Sequence, residues 1–139
     1  MATIEDLTNA EQSWVDANLA ILREAGVDVA DPASLGAFYD QLLADWLTRP
    51  EQDRSDPNSL INMIGIGLGQ CIVDRCGLRW VVATDDGGTE LALHRIANNV
   101  LVYPANAVAK RWVARSSGFI PAFVDATTSR VEGLSSADG

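Results

Sequence analysis

The sequence predicts an α+β domain in the order ααα-βββ-αα. Three observations carry that prediction. Apolar residues recur at helical spacing up to about residue 76, and from Leu78 they alternate instead. The run Asp85-Asp86-Gly87-Gly88 then divides two alternating segments at a hairpin. Finally, 139 residues that are 47% hydrophobic suffice for one buried core and are too apolar for a disordered chain.

Each element has its own signal. Thr8 followed by Glu11 forms a capping box, in which each side chain satisfies the other residue's orphan backbone donor. Trp14, Val15, Leu19 and Leu22 follow at helical spacing, and Gly26 closes the helix; an earlier start at Thr3 would add Ile4 and Leu7. Asp31-Pro32 opens the second helix, whose stripe is Leu35, Phe38, Tyr39, Leu42, Leu43 and Trp46, up to Pro50. Asp56-Pro57 opens the third, with Leu60, Ile61, Ile64, Leu68, Cys71 and Ile72 inward and Gly77 as its stop.

With Asp86-Gly87 as the hairpin loop, Thr84 faces Thr89, Val82 faces Leu91 and Trp80 faces Leu93. The large apolar groups then share one face, and Ala83–Glu90, Val81–Ala92 and Arg79–His94 pair on the other. Asn98-Asn99 is a second turn and Val100 to Tyr103 a third strand. A fourth helix runs from Pro104 to about Arg115, and a fifth from Phe119 to about Glu132. The expected organisation is one α+β domain over residues 1–132 and a flexible tail over 133–139. Within the domain, residues 1–59 form an acidic helical part, and 60–132 a helix, the meander and the last helices.

The segment from about Leu60 to Val124 resembles an uncharacterised bacterial family described as domain of unknown function 3806. The matching features are Gly65-Ile66-Gly67-Leu68-Gly69 on a helix, Trp80-Val81 in the next strand, the Asp86-Gly87 turn, Val102-Tyr103-Pro104 and Lys110-Arg111. The resemblance implies no activity, cofactor or catalytic residue.

Charge narrows the function classes. The formal net charge is −9 and the pI about 4.3. All of that net charge falls in residues 1–59, which hold twelve acids and three bases. Such a surface repels nucleic-acid phosphates and anionic lipid, so neither nucleic acid nor membrane is an expected partner. It suits a basic protein instead. The first residues, Met1-Ala2-Thr3-Ile4-Glu5-Asp6, lack the basic start and apolar run of a secretory signal. With Cys71 and Cys76 as unpaired thiols, this predicts a cytoplasmic protein. Lys110 is the only lysine, a composition typical of GC-rich bacterial genomes. Oligomeric state has no sequence signal.

Candidate chemistry is sparse. The Gly65-x-Gly67-x-Gly69 run lies inside a helical pattern, without the preceding strand of a dinucleotide loop or the Gly-Lys-Ser/Thr of a P-loop. Gly65 and Gly69 share a helix face and let a neighbour approach closely, or make room for a ligand. His94, the only histidine, falls on the outer sheet face beside Arg79 and reads as exposed, so no nucleophile–base pair and no catalytic residue is expected. Without a His/Cys cluster no metal is expected either, and no cofactor. Arg111 and Arg115, bordered by Lys110, read as one basic face of the fourth helix, facing the chain's own Asp40 or Asp45 or an anion. Arg95, Lys110, Arg111, Arg115, Gly65 and Gly69 are thus candidate ligand or anion-binding residues. Trp46, Trp80 and Trp112 read as core. Trp14 flanks its stripe, and with Glu11 and Asp16 it forms a candidate partner surface. The expected function is a non-enzymatic protein-binding module with an acidic helical surface. The alternative is a small-molecule or anion binder, or an enzyme, with a pocket between the third helix and the sheet.

Overall fold

The structure, a computed structural model, describes residues 3–97 and 99–138, with side chains through residue 133. Its elements are β1 (Thr3–Asp6), α1 (Asn9–Glu24), α2 (Pro32–Thr48), a 3-10 turn (Glu51–Asp53), α3 (Asn58–Cys76), β2 (Arg79–Asp85), β3 (Gly88–Arg95), β4 (Val100–Val102), α4 (Pro104–Val113) and α5 (Ile120–Asp138). The strands form one antiparallel sheet in the order β1-β2-β3-β4. The α+β class and the five helices agree with the sequence. The sheet has four strands rather than three.

The extra strand is β1, where the sequence suggests only an early start of the first helix. Thr8 caps α1 from an extended backbone and its capping box with Glu11 is complete, so the helix cannot begin earlier. Thr3–Asp6 instead pairs with Thr84–Val81 of β2, and the Asp6 carboxylate meets the Arg79 guanidinium. Most other local signals hold, although α3 begins at Asn58 with Pro57, not Asp56, as its N-cap. Asp31 caps α2 through its side chain, Gly77 takes the left-handed conformation after α3, and the β2–β3 register pairs Thr84 with Thr89, Val82 with Leu91 and Trp80 with Leu93. Of the Asn98-Asn99 turn, Asn99 adopts a positive φ of 50° and Asn98 lies outside the described residues.

α3 is the centre of the molecule. The sequence gives it one apolar stripe, yet every residue from Met63 to Gly69 is buried. A helix that is apolar on all sides belongs inside, and α1, α2, α4, α5 and the sheet all pack on this one. Three glycines make that possible. A Cβ on Gly65 would lie 2.7 Å from the Ala105 Cα of α4, and one on Gly67 would lie 2.8 Å from Leu22 of α1. One on Gly69 would overlap the Trp80 indole. The main core gathers Leu22, Leu35, Tyr39, Ile64, Leu68, Ile72, Leu93, Val108, Ile120 and Val124 around this helix. α5 continues past Gly133 to Asp138, through the segment expected to be a tail; Gly139 is outside the described residues. Val131 is buried two residues before Gly133, and a single glycine costs a helix only about 1 kcal/mol. No described helix is long and apolar enough to cross a membrane.

The second sheet face carries a cluster of strand residues, Val81, Ala83 and Ala92, with Ile4, Leu101 and Tyr103, the N-cap of α4, against them. His94 lies on this face and is only 8% exposed. The sequence reads it as exposed. The difference arises because β4 pairs Leu101 beside it and the Arg79 side chain turns to Asp6. His94 Nε2 shares a 3.1 Å hydrogen bond with Asn99 Oδ1 across the β3–β4 turn, and its buried Nδ1 has no partner among the described residues.

Candidate functional site

The chemistry-bearing surface lies where α1 begins, beside the β2–β3 hairpin. Val15, Leu19 and Leu22 face inward from α1. Trp14, next to Val15, is rotated about 100° from it on the helix and is 44% exposed. Its indole forms one wall of a groove of about 360 Å³ lined also by Glu11, Val82 and Leu91. A smaller apolar cavity of about 110 Å³ adjoins it, between Trp14, Ile66, Trp80, Leu91 and Pro104. One Glu11 oxygen accepts the Thr8 N–H at 2.8 Å in the capping box. The carboxylate is thereby fixed at the groove's mouth.

On the other side of β3 lies a polar groove of about 310 Å³, lined by Asp85, Thr89, Glu90, Tyr103 and Asn106. Strand alternation directs Glu90 to the Ala83 face. Burial and the nearby Asp85 carboxylate push the Glu90 pKa above the usual carboxylate range. Burial, with Asp85 and Glu90 added, raises the Tyr103 phenol in the same way. Asp85 is held by the Gly87 N–H at 2.8 Å. Two held carboxylates, Glu11 and Asp85, together with the exposed Glu90, thus frame this end of the sheet around an exposed tryptophan.

The structure brings Glu11 and Trp14 together but sets Asp16 apart. Asp16 accepts from Gln12 at 3.0 Å and lines a different groove, about 610 Å³, between α1 and α3 with Arg23, Asp28, Gln70 and Asp74. Sequence reasoning missed Glu90 and Leu91 as the companions of Glu11 and Trp14. The hairpin register was their only signal.

The basic candidates do not converge. Arg111 lies over the Phe119 and Phe123 rings at 5.3 and 6.0 Å. α4 ends at Val113, so Arg115 is not on its face; it sits beyond the helix with φ 57°. Lys110 is exposed, and Arg95, half-buried at the end of β3, pairs with Val100. Asp40 accepts the Gly118 N–H and Asp45 accepts from Gln41, and neither forms an ion pair among the described residues. Gly65 and Gly69 are filled by Ala105 and Trp80. Of the tryptophans read as core, Trp112 is 3% exposed, while Trp46 and Trp80 are half-buried against the main core. Both cysteines are free; burial pushes the Cys71 thiol up. Among the described residues no group of three or more His, Cys, Asp or Glu is placed to hold a metal.

Comparison with curated proteins and with solved structures gives no match. A family model matches residues 40–120, from Asp40 in α2 through α3, β2–β4 and α4 to Ile120. The match begins earlier than the resemblance starting at Leu60, and it leaves Glu11 and Trp14 outside. It covers more than half of the chain and holds the glycine-bearing helix, the meander and the Lys110-Arg111 helix in one unit. The chain therefore belongs to the family described as Domain of unknown function (DUF3806).

Proposed function

We propose that this protein is a non-enzymatic binding module that receives a basic segment of a partner protein in the groove between α1 and the β2–β3 hairpin. The observation that carries this reading is Trp14, exposed on one wall of a groove whose mouth holds the fixed Glu11 carboxylate. An arginine or lysine side chain matches that pair. Its aliphatic stem lies along Leu91, and its cation meets the indole face and the carboxylate. Asp85 and Glu90 add negative potential nearby, and the acids of residues 1–59 attract a basic partner from a distance. The reading has the protein working in the cytosol, where Cys71 and Cys76 stay reduced.

The alternative of a small-molecule site between α3 and the sheet has less support. Trp80 and Ala105 fill the space at Gly69 and Gly65, and the remaining cavity of about 110 Å³ is well below the roughly 300 Å³ at which such sites begin.

The test is titration of a blocked pentapeptide containing two arginines around a leucine, followed by tryptophan fluorescence. Binding that weakens as salt rises and is lost in Trp14→Ala, with circular dichroism unchanged, supports the reading. Equal binding by Trp14→Ala would overturn it.

A further inference from the structure

A second pocket, unrelated to the Trp14 groove, lies where α2 and α4 end. Its volume is about 350 Å³, and its walls include Trp46, Trp112 and the exposed Val113. The two indoles meet edge to face at 5.4 Å, and Trp46 is fixed by donating its N–H to Ser55 O at 3.0 Å. The Trp112 Nε1 is buried with no hydrogen-bond partner among the described residues, an orphan donor that calls for an acceptor.

Two arginines, Arg54 and Arg115, line the same pocket. Arg54 lies 5.0 Å over Trp46 and is anchored by donating to Arg49 O and Leu47 O, both at 3.1 Å. Those bonds use its Nε and one terminal nitrogen, leaving the other terminal nitrogen without a protein partner among the described residues. Arg115 follows α4 with φ 57°, a position that glycine or asparagine occupies at less strain. Neither arginine has a carboxylate within ion-pair distance among the described residues. Glu51 also lines the pocket, so the local balance is one positive charge. In a chain of net charge −9, two arginines without a carboxylate partner among the described residues, beside a pair of tryptophans, form a site of opposite sign to the net charge of the chain.

We propose that this pocket binds a small organic carboxylate with a flat apolar body. The fork of Arg115 and the free end of Arg54 take the carboxylate, and Trp46, Trp112 and Val113 take the body. The site does not depend on the Trp14 groove.

Benzoate, benzyl alcohol and benzylamine separate the contributions, read by the indole N–H signals of Trp46 and Trp112 in ¹⁵N-labelled protein. Benzoate is expected to shift both signals saturably. Benzyl alcohol should bind about tenfold more weakly, the value of one charge-assisted pair, and benzylamine should not bind. Arg115→Gln, which removes no side-chain hydrogen bond among the described residues, should bring benzoate to the level of benzyl alcohol. Trp14→Ala should leave benzoate binding unchanged. Equal binding of benzoate and benzyl alcohol, unaltered benzoate binding in Arg115→Gln, or no saturable shift with benzoate would each overturn the proposal.

Discussion

Gly69 of α3 lies flat against the indole of Trp80 in β2, with no room between them for a methyl group. The indole cannot swing away, because its N–H donates to Gln70 Oε1 at 3.1 Å. Two effects oppose each other in Gly69→Ala. Alanine adds about 1 kcal/mol of helix propensity, and overpacking costs about 1–3 kcal/mol. With a rigid ring as the obstacle the second wins, so a lower urea midpoint is expected. Trp80→Leu in the same chain should recover part of the loss. A midpoint that rises in the single variant would mean that helix and strand stand further apart.

His94 is expected to matter for stability rather than chemistry. His94→Ala leaves a space in a closed sheet face and strips Asn99 of its bond, costing about 1–3 kcal/mol. A thermal melt checks this. An unchanged Tm would indicate that the ring is free in solvent.

Tyr39 ties α2 to the chain after α4 by donating its hydroxyl to Ser116 O at 2.9 Å. Burial, aided by Asp40, pushes its pKa up to about 12 from 10.0. The folded state therefore favours the protonated phenol, whose stabilising effect is complete below pH 10 and lost as pH climbs toward 12. Tyr39→Phe should cost about 1 kcal/mol at neutral pH. Denaturant titrations at stepped pH should show that gap closing between pH 10 and 12. A gap that stays constant would place the phenol in water.

Glu90 has the same sign at acid pH. Its raised pKa means that ionisation works against the fold once pH passes the ordinary value of 4.5. Glu90→Gln should melt slightly above the wild type at neutral pH, and the two should coincide below about pH 4. The side chain is partly exposed, and solvent screening holds the difference to on the order of 1 °C. A variant less stable than wild type at neutral pH would contradict this account.

The two acids of the predicted partner surface should separate kinetically. Glu11→Lys puts a cation at the mouth of the Trp14 groove and should lower the affinity for the arginine peptide about tenfold. Asp16→Lys changes a different groove and should act only through long-range attraction, an effect that fades above about 0.15 M salt, where the screening length is about 8 Å. Stopped-flow association rates at two salt concentrations measure both. Equal effects of both variants at high salt would remove Glu11 from the contact.

Features that depend on near neighbours in the chain were legible in the sequence. The Thr8–Glu11 box, the Asp31-Pro32 cap, Gly77 and the Asp86-Gly87 loop each act within a few residues, and the β2–β3 register follows from apolar alternation. Features made by distant partners were not. Thr3–Asp6 is too short and mixed to announce a strand, and it becomes one only by pairing with β2. His94 is buried because strands from elsewhere complete its face. The site divides in the same way. Trp14 stands out as an aromatic off its stripe, whereas Arg54, in a loop without periodicity, becomes visible only once Trp46 lies beneath it.

The place of β1 has a consequence for how the chain assembles. This strand precedes its partner by three helices, so the pairing is among the most non-local contacts of the fold. Such contacts close late, after α1, α2 and α3 have had time to collapse. Until then β2 presents an unpaired edge with the sequence Trp80-Val81-Val82-Ala83, the kind of segment that recruits strands from other molecules. Thr3–Asp6 is therefore a latch as well as a strand: Glu5 and Asp6 give the finished edge negative charge, and a chain shortened to begin at Leu7 would carry the sticky edge permanently.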